Sequence, residues 1–149
     1  MKKIFFVSLL LLASIAISAK PVPSGYVDLG LPSGTLWKVQ DEPGYFLFRK
    51  AENRFGEKLP TASQFEELLY NCSWKLMETG YRVTGPNDQQ LFFPFHGYMN
   101  CDEMLEGEGR LSYFWLQSGH VFKMTSSYKS VSSEPYCLST SIRLVISGE

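Results

Sequence analysis

The side chains able to do chemistry in this chain are few and widely spaced. His96 and His120 are its two histidines, and Cys72, Cys101 and Cys137 its three cysteines. Thiol catalysis needs a thiolate with a base beside it, and neither histidine stands in a recognisable protease context. The same residues show no C-x-x-C or H-x-x-x-H spacing, so zinc is not expected. The loop with Asp102, Glu103, Glu106 and Glu108 carries carboxylate oxygens of the kind calcium takes, but such a run is ordinarily a solvated face. The stretch YVDLGLPSGTLW, Tyr26 to Trp37, invites a phosphate-loop or serine-nucleophile reading. Gly34 is followed by Thr35, Leu36 and Trp37, without the Lys-Ser/Thr pair that meets a phosphate. Ser33 also lacks the Gly-x-Ser-x-Gly frame of a nucleophile elbow. The stretch therefore reads as a turn whose glycines take positive φ.

Aromatic residues offer a different chemistry, flat faces for stacking with a polar handle on Tyr and Trp. Tyr113, Phe114, Trp115 and Leu116 run along one strand candidate, and His120 and Phe122 open the next. If Phe114 and Leu116 point inward, Tyr113, Trp115 and Gln117 point outward together. The opposite register fits the pattern equally well. Tyr113, Trp115, Gln117 and His120 are accordingly the candidate ligand-binding residues, with no catalytic residue and no metal ligand assigned. On that reading, Trp115→Ala costs ligand binding and little stability.

Positioning these residues falls to one small domain. The chain has 149 residues, a single domain's worth. Lys2 and Lys3 precede an apolar run from Ile4 to Ile17, closed by the small residues Ser18 and Ala19. That is the layout of a secretory signal peptide, cleaved after Ser18 or Ala19. The run falls short of the ~20 residues a spanning helix needs, and no second long apolar run follows. The expected organisation is a signal peptide over residues 1–19 and one domain over 20–149, secreted, periplasmic or at the cell surface, with no membrane span in the mature chain.

Loss of Lys2 and Lys3 takes the 14 basic residues to 12 against 15 acidic, a net charge of −3. Nucleic acid is not an expected partner, because phosphate binding needs clustered Lys and Arg. Export permits a disulfide, and an odd cysteine count leaves at least one thiol free or paired between chains. Three pairings are open. Cys101 with Cys137 is preferred because Cys72 reads as a buried helix position.

The strongest local signal is LPTASQFEELLYNC, Leu59 to Cys72. Thr61 with Gln64 three residues on is a capping box. Phe65, Leu68, Leu69 and Cys72 then form one apolar stripe, which predicts a helix over Ala62 to Tyr70. Upstream, YVDL and LWKV read as short strands, YFLF as an aromatic strand, and RKAENRFGEK as a solvated charged connection. Downstream the period falls to two. GYRVTG and QQLFFPF flank PND as a hairpin, and GRLSYFWLQSG, HVFKMTSS and SIRLVIS supply three more strands. NCDEMLEGEGR and SSYKSVSSEPY read as loops. The fold class is α+β, with short antiparallel strands, one well-marked helix and long loops.

The blocks YVDLGLPSGTLW, LPTASQFEELLYNCSW, YRVTGPNDQQLFFPFHGY, YFWLQSG and SIRLV, in that order, resemble the Fibrobacter succinogenes major paralogous domain of exported Bacteroidota proteins. The segment between the first tryptophan and the LPT helix is shorter here than that family's, and YFWLQS and IRLV depart from its usual blocks. The resemblance implies export and a C-type lectin-like fold, shared with formylglycine-generating enzymes, and it implies no activity. Those enzymes use paired cysteines near the C-terminal end, where this chain has Cys137, with Cys101 far upstream. C-type lectins bind sugar through calcium held by Glu-Pro-Asn or Gln-Pro-Asp. Glu134-Pro135-Tyr136 and Pro86-Asn87-Asp88 are fragments of such motifs, so no cofactor is expected and calcium lacks a complete motif. The expected function is an exported, non-enzymatic module for a glycan or protein ligand. Its alternatives are a thiol-dependent enzyme or redox protein using an unpaired cysteine, most readily Cys101 or Cys137, and a structural subunit of a surface assembly.

Overall fold

Helix α1 (Phe48–Phe55) and helix α2 (Ala62–Asn71) are joined through a 3-10 turn at Gly56–Lys58. A computed structural model of the chain describes residues 21–148. The expected signal peptide, residues 1–19, lies outside the described residues. The remaining elements are short antiparallel strands in four small sheets, which makes the fold α+β.

The predicted helix forms for the predicted reason. In α2 the Gln64 backbone N–H donates to Thr61 Oγ1 at 3.1 Å, and the Thr61 N–H donates to Gln64 Oε1 at 2.9 Å. Both otherwise orphaned donors are thereby satisfied. Phe65 and Leu68 are fully buried, and Leu69 and Cys72 pack half-buried beside them. The Phe65 ring stacks on Phe122 with centroids 4.0 Å apart and meets Trp37 edge-on at 4.8 Å. Burying one such ring contributes about 1.5–3 kcal/mol.

Around this helix, Tyr26–Asp28 pairs with Leu36–Lys38, which also pairs with Val145–Ile146 from the far end of the chain. The turn between the first two has Gly30 at φ 75° and Gly34 at φ 76°, as the sequence suggests. Asn87 sits against Gly30, where a Cβ would lie 3.0 Å from its own. The PND turn, so placed, joins Gly80–Thr84 to Gln90–Pro94 as a hairpin. Ser73–Met77 adds a third strand that the sequence pattern does not announce.

The third sheet, Lys129–Ser132, Val121–Thr125 and Leu111–Trp115, is covered on both faces. Phe114, Phe122 and Met124 enter the core around α2, while Trp115 and Val121 enter a second core with Phe48, Ala51 and Ile142. This corrects two expectations. The charged RKAENRFGEK segment is largely helical, because Phe48, Ala51 and Phe55 give α1 an apolar edge despite its four charges. Part of SSYKSVSSEPY is a strand, since Lys129–Ser132 extends the sheet beyond Val121–Thr125. The fourth sheet gathers Phe46–Leu47, Ser139–Thr140, Tyr98–Met99 and Leu105–Glu106. Next to it Cys101 is joined to Cys137, with Cα atoms 4.9 Å apart. Among the described residues no helix is long and apolar enough to cross a membrane.

Candidate functional site

The four aromatic-strand candidates do not form one surface. Trp115 is fully buried, 0 % exposed, and its indole N–H donates to the Phe46 carbonyl at 2.8 Å. It offers no stacking face. The alternation argument assumed one buried face, and α1 with the C-terminal segment covers the other. Gln117 is a strut: its side-chain amide donates to Leu59 O at 2.9 Å and Glu57 O at 3.1 Å, tying down the connection between the helices. His120 sits exposed in the next turn, with Nδ1 2.9 Å from Ser118 Oγ. Tyr113 lies half-buried, stacked on Tyr98 at 4.2 Å, with the Lys123 ammonium 4.9 Å above its ring.

A different set of residues does converge on one cleft. A cleft of about 630 Å³ opens between the Val39–Tyr45 loop and the end of the Gln90–Pro94 strand. Its floor is Arg143, completely buried, reaching across from the C-terminal segment. Arg143 Nε donates to Asp41 Oδ1 at 2.6 Å, Nη1 to the Lys38 and Val39 carbonyls at 3.2 and 3.3 Å, and Nη2 to the Phe92 carbonyl at 2.8 Å. Its guanidinium also lies 4.4 Å from the Phe93 ring centre. One side chain thus fastens three chain segments together. Burial pushes the Arg143 pKa down and the Asp41 carboxylate pushes it back up.

Asp41 is the second wall of the arrangement, its side chain only 4 % exposed. Its Oδ1 is taken by Arg143. Its Oδ2 is buried and accepts no hydrogen bond, although His96 Nδ1 lies 3.0 Å away. The contact is a close ion pair without the alignment of a hydrogen bond. The Asp41 carboxylate raises the His96 pKa, against burial and the charge of Arg143, with Glu108 adding a smaller push upward. The ring is 48 % exposed on its side-chain surface and faces the cleft. Tyr45 closes this end by donating its hydroxyl to the His96 carbonyl at 2.5 Å. Burial raises the Tyr45 pKa, with Glu108 and Asp41 contributing, so the phenol remains a donor at neutral pH. Glu42 is paired with Lys38, and its N–H donates to Ile142 O at 2.8 Å. Gln40 adds a polar group to the lining, and Phe92, Pro94 and Pro43 supply apolar wall.

From sequence, Asp41 and Arg143 attract no notice, and His96 is weighed only as a catalytic base or a zinc ligand. A signal was present in SIRLVIS, an arginine inside an apolar strand pattern. A buried guanidinium demands a carboxylate, and the DEPG turn supplies one.

The other candidates occupy unpromising settings. The carboxylates of the acidic loop do not converge: Glu106 accepts from Tyr98 Oη at 2.6 Å and Asn100 Nδ2 at 2.9 Å. Glu134 pairs with Lys123, and Asn87 donates to Asp28 O at 2.8 Å. Among the described residues no three His, Cys, Asp or Glu side chains group to hold a metal. Cys72 is free and half-buried, its thiol pushed up to about 11 by burial and by Glu67. Such a thiol is protonated at neutral pH and a poor nucleophile. No family model, no curated protein and no solved structure matches the chain.

Proposed function

We propose that the protein is an exported, non-enzymatic binding module, a divergent relative of the Fibrobacter succinogenes major paralogous domain with a C-type lectin-like fold, and that its cleft holds a saccharide. The observation that carries this reading is Asp41 Oδ2, a carboxylate oxygen buried at the cleft whose one neighbouring donor, His96 Nδ1 at 3.0 Å, is out of line for a hydrogen bond. A ligand hydroxyl donating to this oxygen supplies the aligned hydrogen bond that His96 does not. His96 stands beside it as a second polar partner, and Gln40 lines the same cleft. Phe92 and Tyr45 supply aromatic surface for the apolar face of a sugar ring. A volume of about 630 Å³ lies within the range of small-ligand sites. Polar groups and aromatic walls in one cleft match a ligand with both hydroxyl and C–H faces.

A glycan array on the purified protein, repeated with Phe92→Ala, tests the reading. Phe92 is 37 % exposed, and its structural bond to Arg143 runs through the backbone carbonyl, so the variant keeps the fold. Saccharide binding that Phe92→Ala lowers at least tenfold supports the proposal. Binding unchanged in the variant places the ligand elsewhere, and an array without hits alongside a captured peptide ligand makes the module a protein binder.

A further inference from the structure

The cleft does not end at Phe92. Along the hairpin sheet Phe92 lies directly opposite Arg82, and Arg82 lies directly opposite Lys75. Residues opposite one another in antiparallel strands project to the same face. That face is the solvent side, because the alternate residues Leu91, Phe93, Tyr81 and Val83 are buried in the core. A single row therefore runs from the aromatic wall of the cleft to two cations, the farther about 10 Å from the Phe92 backbone at ordinary strand spacing.

Neither cation has a partner among the described residues. The ion pairs there join Lys38 to Glu42, His96 to Asp41, Lys123 to Glu134 and Arg143 to Asp41. Of the cleft's two carboxylates, Asp41 is paired with Arg143 and Glu42 with Lys38. Glu78, at the turn after Met77, lies beyond two further residue pairs, Leu76 with Tyr81 and Met77 with Gly80. On the cleft side of Phe92, His96 is held toward its cationic form by Asp41. Two cations, unpaired among the described residues, thus stand beside the aromatic wall, in a protein whose expected mature net charge is negative.

We infer that the saccharide of this site is anionic, carrying carboxylate or sulfate groups that reach Arg82 and Lys75 while a neighbouring ring sits on Phe92. The inference rests on the saccharide reading above and adds the charge of the ligand. Arg82 supplies the planar fork suited to a carboxylate or sulfate, and Lys75 a point charge.

The experiment is calorimetric titration at low and high salt with three probes: tetragalacturonate, its fully methyl-esterified form, and a sulfated tetrasaccharide. Wild type and Arg82→Gln/Lys75→Gln are compared, with urea midpoints confirming that the exposed double substitution leaves folding intact. An anionic probe is expected to bind wild type about tenfold more tightly than the ester, with the advantage shrinking at high salt. The double variant should lose that advantage and keep its affinity for the ester. The carboxylated and sulfated probes together identify which anion is read. Equal binding of acid and ester by wild type overturns the inference and leaves the saccharide reading standing. Persistence of the preference in the double variant also overturns it. Binding of none of the three, nor of any neutral glycan, removes both readings.

Discussion

Replacing Arg143 by methionine removes the one side chain that bridges the Lys38–Asp41 loop, the Phe92 strand and the C-terminal segment. Arg143 is completely buried and Asp41 nearly so. Methionine fills much of the volume, so the loss is electrostatic: Asp41 is left with only the half-exposed His96 beside it, and three carbonyls lose their donor. Breaking a buried pair in this way costs about 3–5 kcal/mol. For a domain of this size each kcal/mol shifts the thermal midpoint by roughly 3–5 °C, so Arg143→Met should melt about 10–20 °C below wild type. The double variant Asp41→Leu/Arg143→Met removes the stranded charge but not the orphaned carbonyls. It should recover part of the loss and remain about 1–3 kcal/mol below wild type. Urea unfolding followed by tryptophan fluorescence measures all three proteins. A single variant within 1 kcal/mol of wild type, or a double variant worse than the single, would refute this account of the cleft floor.

Trp115→Ala should cost about 3–5 kcal/mol through lost packing on Phe48 and the lost bond to Phe46 O, and a near-normal melt would return Trp115 to the surface. His96 has its folded pKa raised, chiefly by Asp41. Its contribution to stability is therefore complete below the unfolded value of about 6.5 and lost as pH rises through the folded value. The urea midpoint should fall as pH rises above about 6.5, and His96→Gln should flatten that part of the profile. Reducing the Cys101–Cys137 bond, which spans a sequence separation of 36, should lower stability by about 2–4 kcal/mol in the same assay; no change would mean the bond is not formed. Cys72, with its thiol pushed up to about 11, should react with an aromatic disulfide at neutral pH far more slowly than glutathione, and faster reaction would reopen the thiol-enzyme reading.

What the sequence makes legible is what local rules decide. The capping box and the Phe65–Leu68–Leu69–Cys72 stripe specify α2 nearly to the residue, because cap and stripe agree. The positive-φ glycines of the opening turn and the PND hairpin follow from backbone sterics alone. Helix α1 is hidden because its apolar positions, Phe48, Ala51 and Phe55, are sparse among charges and its N-terminus lacks a side-chain cap. Trp115 is misplaced because period-two alternation tells that two faces exist, and not that a second core covers the outer one. The cleft is least legible of all. Asp41, His96 and Arg143 are far apart in the chain, and only the C-terminal segment's return beside the Lys38 strand brings them together.

The most direct measurement of the central claim is a two-dimensional amide and imidazole NMR titration of the protein with the tightest saccharide from the array. The account predicts shifts concentrated at Val39–Tyr45, Phe92–His96 and the His96 ring, with Arg82 and Lys75 joining when the sugar is anionic. Shifts confined to the Tyr113–His120 segment, with the His96 ring unmoved, would contradict it.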